Sequence, residues 1–581
     1  MRALRRLLPY LRRHAAAYWV GFLSLLASNF FATLGPRYLQ RGIDVLATAG
    51  PGAARGVATA ALWVAGLALA SGVLRFGMRH RLNGASREVE TDLRNDLFRR
   101  LMGLSAPFHQ RFPVGDLMAR ATNDLLALRM VAGPAIMYLV DTTVRTIMIV
   151  PMMLALSPSL TLWALLPTLG LPLVMVIIGG EVHRRALAVQ NQFGDISSFV
   201  QEHLAGVRIV RAYAQESAET ALFHGLDRGY VASNLALARG QGIFHPLLTF
   251  LGGLGAVIAM IFGGRLVLTG AMTIGGFVAF GVYLATLVWP MIALGWAISL
   301  LQRGDAASDR VQALLEETPD IIDPAHPAAL PAVEGARRLA FEGVWFRYPG
   351  AERDWVLRDV SFTVEAGKVL GIVGATGSGK TTIAELVVRT YDPDQGRILL
   401  DGVDIRTLGL ADLRAAVGMV PQETFLFSDT LRENVLLGSP DDGRLDDAAR
   451  VARLDQALPD LPKGWDTMLG ERGINLSGGQ RQRAAIARAL VRQPPVLVLD
   501  DALSAVDAQT EEDILAALRG AMVGRTCLII SHRFSAVRDA DEIIVLDDAT
   551  IAERGTHQAL LARSGRYVAL LSRQELEESL A

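Results

Sequence analysis

The sequence predicts a multi-domain protein, with an all-α domain of six membrane-spanning helices followed by an α/β P-loop domain. Residues 1–300 contain several apolar runs of roughly 20 residues, the length that crosses a bilayer as a helix. Residues 337–581 have the mixed composition of a soluble α/β domain. They contain GATGSGKT at 374–381, which fits the phosphate-binding pattern G-x-x-x-x-G-K-[ST].

The composition fits a chain with two unlike halves. Its 581 residues are 51% hydrophobic and 20% charged, with a mean hydropathy of +0.32. This is too apolar for an ordinary soluble enzyme and too charged for a purely membrane-embedded protein. The formal net charge of -1 gives no indication of a nucleic-acid partner. The single cysteine, Cys527, allows no internal disulfide and lies in an apolar run that predicts a buried strand.

The membrane domain is predicted to cross the bilayer six times, at 18–39, 56–78, 130–156, 160–180, 244–268 and 274–301. The basic amphipathic segment RALRRLLPYLRRH at 2–14 suits the cytoplasmic interface, and its arginines place the N-terminus inside. The long, arginine-rich gaps 79–129 and 181–241 are expected to be cytoplasmic, with the spans continuing into them as helices. Both termini are therefore predicted to be cytoplasmic.

Three charged residues within the spans are candidates for function. Asp141 and Arg145 lie four residues apart on one helix face and can pair, and Arg75 lies near the inner end of the second span. They form either an internal ion pair with a snorkelling arginine or the polar lining of a substrate cavity. We place the transmembrane domain at 1–303, a linker rich in proline and acidic residues at 304–336, and the α/β domain at 337–581.

The phosphate-binding loop follows an apolar strand at 369–373 and precedes a helix, the context that this pattern requires. Its glycines let backbone N–H groups approach phosphates, and the helix N-terminus favours negative charge. Lys380 is expected to contact the β- and γ-phosphates, and the Thr381 hydroxyl to reach Mg²⁺. The candidate nucleotide-binding residues of this segment are Gly374, Ala375, Thr376, Gly377, Ser378, Gly379, Lys380, Thr381 and Thr382.

A second apolar strand, at 496–499, ends in Asp500. A carboxylate placed after such a strand, well downstream of a phosphate loop, holds Mg²⁺ directly or through water. The expected cofactors are therefore ATP and Mg²⁺, with Thr381 and Asp500 as metal ligands.

The sequence LSGGQ at 476–480, followed by RQRAAIARAL, resembles the signature of ATP-binding cassette (ABC) proteins. The resemblance covers 341–560 and extends into the membrane half. There, GDLMARATND at 115–124 and EHLAGVRIVRAYAQE at 202–216 resemble the two intracellular coupling regions of six-helix exporters. The chain is similar to an ABC half-transporter with the type IV exporter fold, and the resemblance implies that two such chains make the working unit.

The resemblance also implies roles for single residues. Tyr348 resembles the aromatic residue on which adenine stacks, and His532 the switch histidine that contacts the γ-phosphate. Gln422 resembles the loop glutamine that senses Mg²⁺ and the transmembrane domain, which makes it a third metal-ligand candidate and a nucleotide-binding candidate. GERG at 470–473 resembles the short loop before the signature of exporters. The signature and the loop that crosses between the two ATP sites contribute Ser477, Gly478, Gly479, Gln480 and Asp507 as nucleotide-binding candidates.

Asp501 departs from the family pattern, which usually has a glutamate after the Mg²⁺ aspartate to orient the attacking water. Its carboxylate ends about 1–1.5 Å short, and a misplacement of about 1 Å costs on the order of 100-fold in rate. The resemblance implies a degenerate ATP site in one subunit of a heterodimer, whose LSGGQ serves the partner's competent site. The alternative is a homodimer with slow hydrolysis, and His532, which degenerate chains often lose, keeps it open. The catalytic candidates are Asp501, His532, Gln422 and Lys380.

The implied function is ATP-driven export of amphipathic small molecules, peptides or lipids across the bacterial inner membrane. The implied partners are a second ABC half-transporter, the lipid bilayer and an amphipathic substrate, without nucleic acid. An exporter-shaped importer of metal chelates and an ATP-gated channel or regulator are alternatives. The six predicted spans count against a soluble cassette protein.

Overall fold

The computed structural model describes residues 2–48, 50, 52–333, 335–350, 354–470, 473–503 and 508–580. They divide into two compact units. The helical unit comprises residues 1–102 and 113–317, and the cassette unit comprises residues 103–112 and 318–581. The predicted fold class, helical and then α/β, is confirmed.

The helical unit combines short helices with helices longer than a bilayer crossing requires. They are α1 (Arg2–Arg13), α2 (Ala15–Thr48), α3 (Ala53–Met102), α5 (Val114–Ala119), α6 (Leu125–Met130), α7 (Ile136–Leu156), α8 (Pro158–Leu165), α9 (Gly170–Ala205), α10 (Val207–Ala212), α11 (Glu216–Ile258), α12 (Gly264–Leu268) and α13 (Ile274–Glu316), while α4 (Ala106–Arg111) belongs to the cassette unit. Local sequence sets helix starts: Ser157 accepts the N–H of Leu160 at the start of α8, and Thr273 accepts that of Gly276 at the start of α13.

Within the described part of the chain, five helical stretches are long and apolar enough to cross a membrane: Ala15–Thr48, Ala53–Met102, Val114–Leu156, Glu216–Leu268 and Ile274–Glu316. π-Helical turns at Arg120–Asp124 and Val131–Ala135 join α5, α6 and α7 in the third, and one at Ala259–Gly263 joins α11 to α12 in the fourth. The five stretches contain five of the six predicted spans. The predicted span 160–180 is not one continuous helix, because a 3-10 turn at Pro167–Leu169 separates α8 from α9. Proline lacks the N–H that a continuous α-helix needs and disfavours helical geometry at the residue before it, which explains the interruption.

Three polar side chains, Asn29, Asp141 and Arg145, are bonded to one another inside the helical unit. The predicted ion pair is present, with Arg145 donating to Asp141 Oδ2 at 3.1 Å. Asn29 from α2 joins it, donating to Asp141 Oδ1 at 2.8 Å and accepting from Arg145 Nε at 3.2 Å. Arg75 and Arg145 also line a cavity of about 420 Å³ between α2, α3, α7 and α13. The pairing and the cavity lining, which the sequence offered as alternatives, therefore occur together.

Two boundaries differ from the sequence-based expectation. Helix α13 continues to Glu316, so residues 304–316 are helical and do not belong to a linker. The motif at 115–124 packs inside the helical unit, where Arg310 of α13 donates to Asp124 Oδ2 at 2.8 Å. The stretch that belongs to the cassette unit is Gly103–Phe112, immediately before that motif. Pro107 in the first turn of α4 and Pro113 after it set this stretch apart from the long helices.

The described strands of the cassette unit form two sheets. The antiparallel sheet has the order β2 (Leu357–Val364), β1 (Leu339–Phe346), β4 (Gln395–Leu400), β5 (Val403–Asp404). The other sheet has the order β10 (Thr550–Gly555), β9 (Glu542–Asp547), β3 (Val369–Gly374), β8 (Thr526–Ile530), β7 (Val496–Asp500), β6 (Val417–Val420), and its strands are parallel except β10.

The helices of the cassette unit beyond α4 are α14 (Lys380–Val387), α15 (Leu410–Ala416), α16 (Leu431–Leu436), α17 (Arg444–Val451), α18 (Gly478–Val491), α19 (Ala508–Met522), α20 (Phe534–Val537), α21 (His557–Arg563) and α22 (Arg566–Leu580). Strands β7 and β8 are buried along their whole length, which explains their uninterrupted apolar sequences. Cys527 of β8 is fully buried, as predicted, and burial raises the pKa of its thiol to about 12.

Gly396 and Gly402 form a matched pair for testing backbone packing in the antiparallel sheet. Both have a φ of +81°, so alanine strains the backbone equally at either position. A Cβ at Gly396 would collide with the carbonyl oxygens of Glu342 and Gly343, whereas a Cβ at Gly402 would meet nothing within 4 Å. We expect Gly402→Ala to cost about 1 kcal/mol and Gly396→Ala about 3 kcal/mol or more. Thermal unfolding of the two purified variants measures the difference; equal losses would contradict the packing argument.

Candidate functional site

The phosphate-binding loop connects β3 to α14, as the sequence predicts. Gly377 and Gly379 adopt φ values of +81° and +94°, which favour glycine. Gly374 and Gly379 also lie against backbone, since a Cβ on them would collide with the carbonyl oxygens of Leu546 and Val356. The loop therefore leaves no room for side chains at these positions, and its backbone is free to approach a ligand.

Lys380, the first residue of α14, folds back over the loop. Its Nζ donates to the carbonyl oxygens of Gly374 and Ala375, both at 2.9 Å. Burial lowers the pKa of Lys380, while the nearby carboxylates of Asp501 and Asp500 oppose that shift. The ammonium group is thus held at the mouth of the loop, where an anion would stabilise its charge.

Asp500 ends β7 and is fully buried beside the loop. Thr381 Oγ1 donates to Asp500 Oδ1 at 3.3 Å, while Asp500 Oδ2 and Ser378 Oγ have no hydrogen-bond partner among the described residues. Burial raises the pKa of Asp500 to about 6. A buried carboxylate oxygen without a partner, next to a threonine hydroxyl, is the donor set that Mg²⁺ prefers. The residues present therefore fit the expected cation.

Asp501 and His532 are bonded to each other, which the sequence did not indicate. Asp501 Oδ1 accepts from the backbone N–H of His532 at 3.0 Å and from its Nδ1 at 2.8 Å. Asp501 is 8% exposed and has a φ of +44°, an uncommon conformation for a residue with a side chain. With the Nδ1 proton bound by the carboxylate, the His532 Nε2 is the ring atom left for a ligand.

Tyr348 lies between the loop helix and a second tyrosine. Its hydroxyl donates to Glu385 Oε2 at 2.8 Å and lies 2.9 Å from Thr382 Oγ1. Its ring meets the ring of Tyr391 edge-on at 5.3 Å. Thr382, predicted to bind nucleotide, thus has its hydroxyl engaged by Tyr348. Sequence analysis did not identify Glu385 or Tyr391 as neighbours of the site. For Glu385 a signal was available, because its spacing of four residues from Thr381 places both side chains on one face of α14.

The signature residues form a helix start. Ser477 Oγ accepts from the N–H of Gln480 at 3.2 Å, and Gln480 Oε1 accepts from the N–H of Ser477 at 2.9 Å. This capping box begins α18 and leaves Gly478 and Gly479 as its first two residues. Among the described residues, no hydrogen bond or ion pair joins these four to the phosphate loop of the same chain.

Two predicted site residues remain, Gln422 and Asp507. Gln422 lies after β6 and is exposed, without a described hydrogen bond. Asp507 lies outside the described residues, as do Glu471 and Arg472 of the GERG loop. The structure therefore brings together the phosphate loop, Asp500, Asp501 and His532.

The chain combines membrane-crossing helices with a P-loop domain, and a buried aspartate lies beside the P-loop. This combination defines an ATP-driven membrane transporter. A model of the ABC transporter transmembrane region matches residues 18–291, and an ABC transporter model matches residues 357–504. The chain belongs to the ABC transporter family, as an exporter with its transmembrane and nucleotide-binding domains fused.

Similar proteins cover nearly the whole chain. It is 39% identical to the probable multidrug resistance ABC transporter ATP-binding/permease protein YheI of Bacillus subtilis (strain 168), across 99% of this chain and 98% of that protein. It is 35% identical to the multidrug efflux ATP-binding/permease protein Rv0194 of Mycobacterium tuberculosis (strain ATCC 25618 / H37Rv), across 98% of this chain but 47% of that protein. A bacterial Atm1-family ABC exporter with ATP bound superposes with a TM-score of 0.80 at 31% identity, covering 97% of this chain and 98% of that one.

The raised pKa of Asp500 predicts a pH dependence of Mg²⁺ binding. The proton competes with the cation for the same carboxylate, so the Mg²⁺ concentration for half-maximal nucleotide binding should rise as the pH falls through about 6, by about fourfold between pH 7.5 and 5.5. Titration of Mg²⁺ at pH 7.5 and 5.5 with a fluorescent ATP analogue measures this. Asp500→Asn is the control. Asparagine does not titrate, so any pH dependence that this variant shows comes from the rest of the site and from the nucleotide itself. If that Mg²⁺ concentration changed equally with pH in both proteins, Asp500 would not be the metal ligand.

Proposed function

We propose that this chain is one half of an exporter of amphipathic small molecules, peptides or lipids, located in the bacterial inner membrane with both termini in the cytoplasm. The observation that carries the proposal is the carboxylate oxygen of Asp500 beside the glycine loop, which has no hydrogen-bond partner in the described part of the chain. The same chain has helices long and apolar enough to cross a membrane. The multidrug description of the YheI relative supports the substrate class.

In the proposed site each residue has a defined task. The backbone of the loop and the N-terminus of α14 hold phosphates, and Lys380 turns from the loop carbonyls to the bound anion. Thr381 and Asp500 hold Mg²⁺, which neutralises charge on the phosphates when bound. Tyr348 offers a ring face to the adenine, while its hydroxyl stays on α14.

Asp501 makes hydrolysis at this site slow. Both hydrogen bonds from His532 go to one oxygen, Asp501 Oδ1, so that oxygen is engaged by the histidine and Oδ2 is left to position a water. The aspartate is also one methylene shorter than the glutamate of the family pattern. A water positioned for the longer side chain lies beyond its reach, and a misplacement of about 1 Å costs on the order of 100-fold in rate. Nucleotide binding does not depend on this carboxylate and is retained.

The working unit contains two half-transporters. The signature residues Ser477 to Gln480 have no described bond to the loop of their own chain, so the N-terminus of α18 is available to phosphates of a second chain. The Rv0194 relative, of which this chain spans about half, agrees with a unit of two such halves. The slow site at Asp501, combined with an intact LSGGQ, favours a different chain as the partner, with glutamate after its Mg²⁺ aspartate and an altered signature.

Lys380→Ala tests export itself, because it removes the charge that would hold the β- and γ-phosphates. Everted membrane vesicles containing the full chain and its partner should accumulate the dye Hoechst 33342 when ATP is added. The Lys380→Ala vesicles should accumulate it no faster than vesicles without the transporter. Equal uptake by both would contradict ATP-driven export.

Asp501→Glu tests the degenerate site. In the purified chain without a partner we expect low ATPase activity, and the longer carboxylate should raise it by about 10- to 100-fold. Asp501→Asn, which matches aspartate in size but lacks the charge, is the control and should show no gain. Vigorous ATPase and transport by the wild-type chain alone would instead favour a homodimer.

A further inference from the structure

Two residues on one face of α14 hold the hydroxyl of Tyr348. This hydroxyl donates to Glu385 Oε2 at 2.8 Å and lies 2.9 Å from Thr382 Oγ1. A phenol has a single proton, and because that proton is given to Glu385, the Thr382 hydroxyl donates to the phenol oxygen. Thr382 and Glu385 are three residues apart in the helix, so their side chains are neighbours. The phenol is thus both a donor and an acceptor to α14, which fixes its oxygen relative to that helix.

The surroundings of Glu385 keep this bond in place. Among the described residues, Tyr348 is the side-chain hydrogen-bond partner of Glu385, and no lysine or arginine forms an ion pair with it. Burial raises the pKa of Glu385, because its half-buried carboxylate is poorly hydrated. Loss of the phenol would leave this carboxylate without its partner, which is costly for a group withdrawn from water.

The ring of Tyr348 is packed on part of its surface and open on the rest. Phe346 and Tyr391 meet it edge-to-face, with centroids 5.1 and 5.3 Å away and interplanar angles of 81° and 89°. Tyr348 as a whole remains only half-buried. The two neighbouring rings restrict its tilt, and the two hydrogen bonds restrict its position along α14. The orientation of the ring is therefore set before a base stacks on it.

Helix α14 joins the ring to the phosphate loop. The helix begins with Lys380 and Thr381, to which we assign contacts with phosphates and Mg²⁺, and Thr382 and Glu385 follow in its first two turns. At a rise of about 1.5 Å per residue, Glu385 lies about 7.5 Å beyond Lys380 along the helix axis. One short helix therefore sets the distance between Tyr348 and the residues that hold phosphates.

We propose that Glu385 and Thr382 are positioning residues, which hold the Tyr348 ring for adenine stacking at a fixed distance from the phosphate loop. The inference rests on the proposed ATP site and adds to it the residues that orient the base. An unbonded tyrosine changes rotamer, and each binding event then has to immobilise its ring. The two bonds remove that cost in advance, so they strengthen the binding of a ligand that has both a base and a triphosphate.

The preference for ATP over inorganic tripolyphosphate measures this positioning, because tripolyphosphate reaches the loop but has no base. In the full chain in nanodiscs, with Mg²⁺, Tyr348→Phe and Glu385→Ala should each lower ATP affinity by about two- to tenfold, the range for one lost hydrogen bond. Affinity for tripolyphosphate should stay within about twofold. The double variant should lose no more than the larger single loss, since both changes remove the same bond. Calorimetric titration of each variant with both ligands gives these affinities.

Glu385→Gln and Tyr10→Phe are the controls. The amide oxygen of Glu385→Gln still accepts from the phenol, so ATP affinity should stay within about twofold although the charge is gone. Tyr10→Phe removes another tyrosine–carboxylate bond, 3.1 Å long, to Asp96 in the helical unit, and should leave both affinities unchanged. The positioning role is overturned by equal losses in Glu385→Gln and Glu385→Ala, by additive losses in the double variant, or by equal losses of ATP and tripolyphosphate binding.

Tyr348→Ala separates this inference from the proposed function. It removes the ring and should lower ATP affinity by about 5- to 100-fold, the range for one base stacked on an aromatic side chain. If it does so while Glu385→Ala binds ATP like the wild type, the positioning role fails and the adenine contact stands. If Tyr348→Ala keeps the wild-type preference for ATP, the adenine contact fails, and the positioning role with it. Binding of neither ligand by the wild type overturns the nucleotide site itself.

Discussion

The parallel register of β3, β8 and β7 is the constraint on which the nucleotide site depends. Ile530 of β8 pairs with Ile372 on one side and with Asp500 on the other. The three strands therefore end at one edge of the sheet, although their sequences are far apart in the chain. The glycine loop, the buried carboxylate and His532 emerge together there, as functional groups do at the carboxyl ends of parallel strands. A one-residue slip of β7 would turn Asp500 away from Thr381.

The bond between Asp501 and His532 follows from the same register. The N–H of Asp501 is donated to the carbonyl of Ile530 at 2.9 Å, which places Asp501 directly beside the turn that carries His532. From this position the aspartate carboxylate reaches His532, whose backbone N–H and ring Nδ1 both bond to Asp501 Oδ1. The short acid and the histidine thus hold each other in place at the edge of the sheet.

An aromatic cluster surrounds Tyr348. Its ring packs edge-to-face against Phe346 and Tyr391, which meet each other at a tilt of 54°. The hydroxyl of Tyr348 bonds to Glu385 on α14, and that of Tyr391 accepts from Gln110. Polar ends on an apolar cluster fix the rings in one arrangement, since a rotated ring would leave a hydroxyl without its partner. In the helical unit, Asn29 plays a comparable part by bonding to both members of the Asp141–Arg145 pair.

The sequence by itself determined the class of both halves, the glycine loop, Asp500, and the placement of Asp141 and Arg145 on one helix face, because each depends on local pattern or on helical spacing. It did not determine the break at Pro167–Leu169, the continuation of α13 to Glu316 or the place of Gly103–Phe112, since apolar runs and motifs do not fix where a helix ends or which unit a short segment joins. Only the tertiary structure decided that Asp501 bonds to His532 and that Tyr391 stands between Tyr348 and Gln110. These contacts join residues distant in sequence, and their geometry arises from strand register and ring packing, which no single segment of the chain encodes.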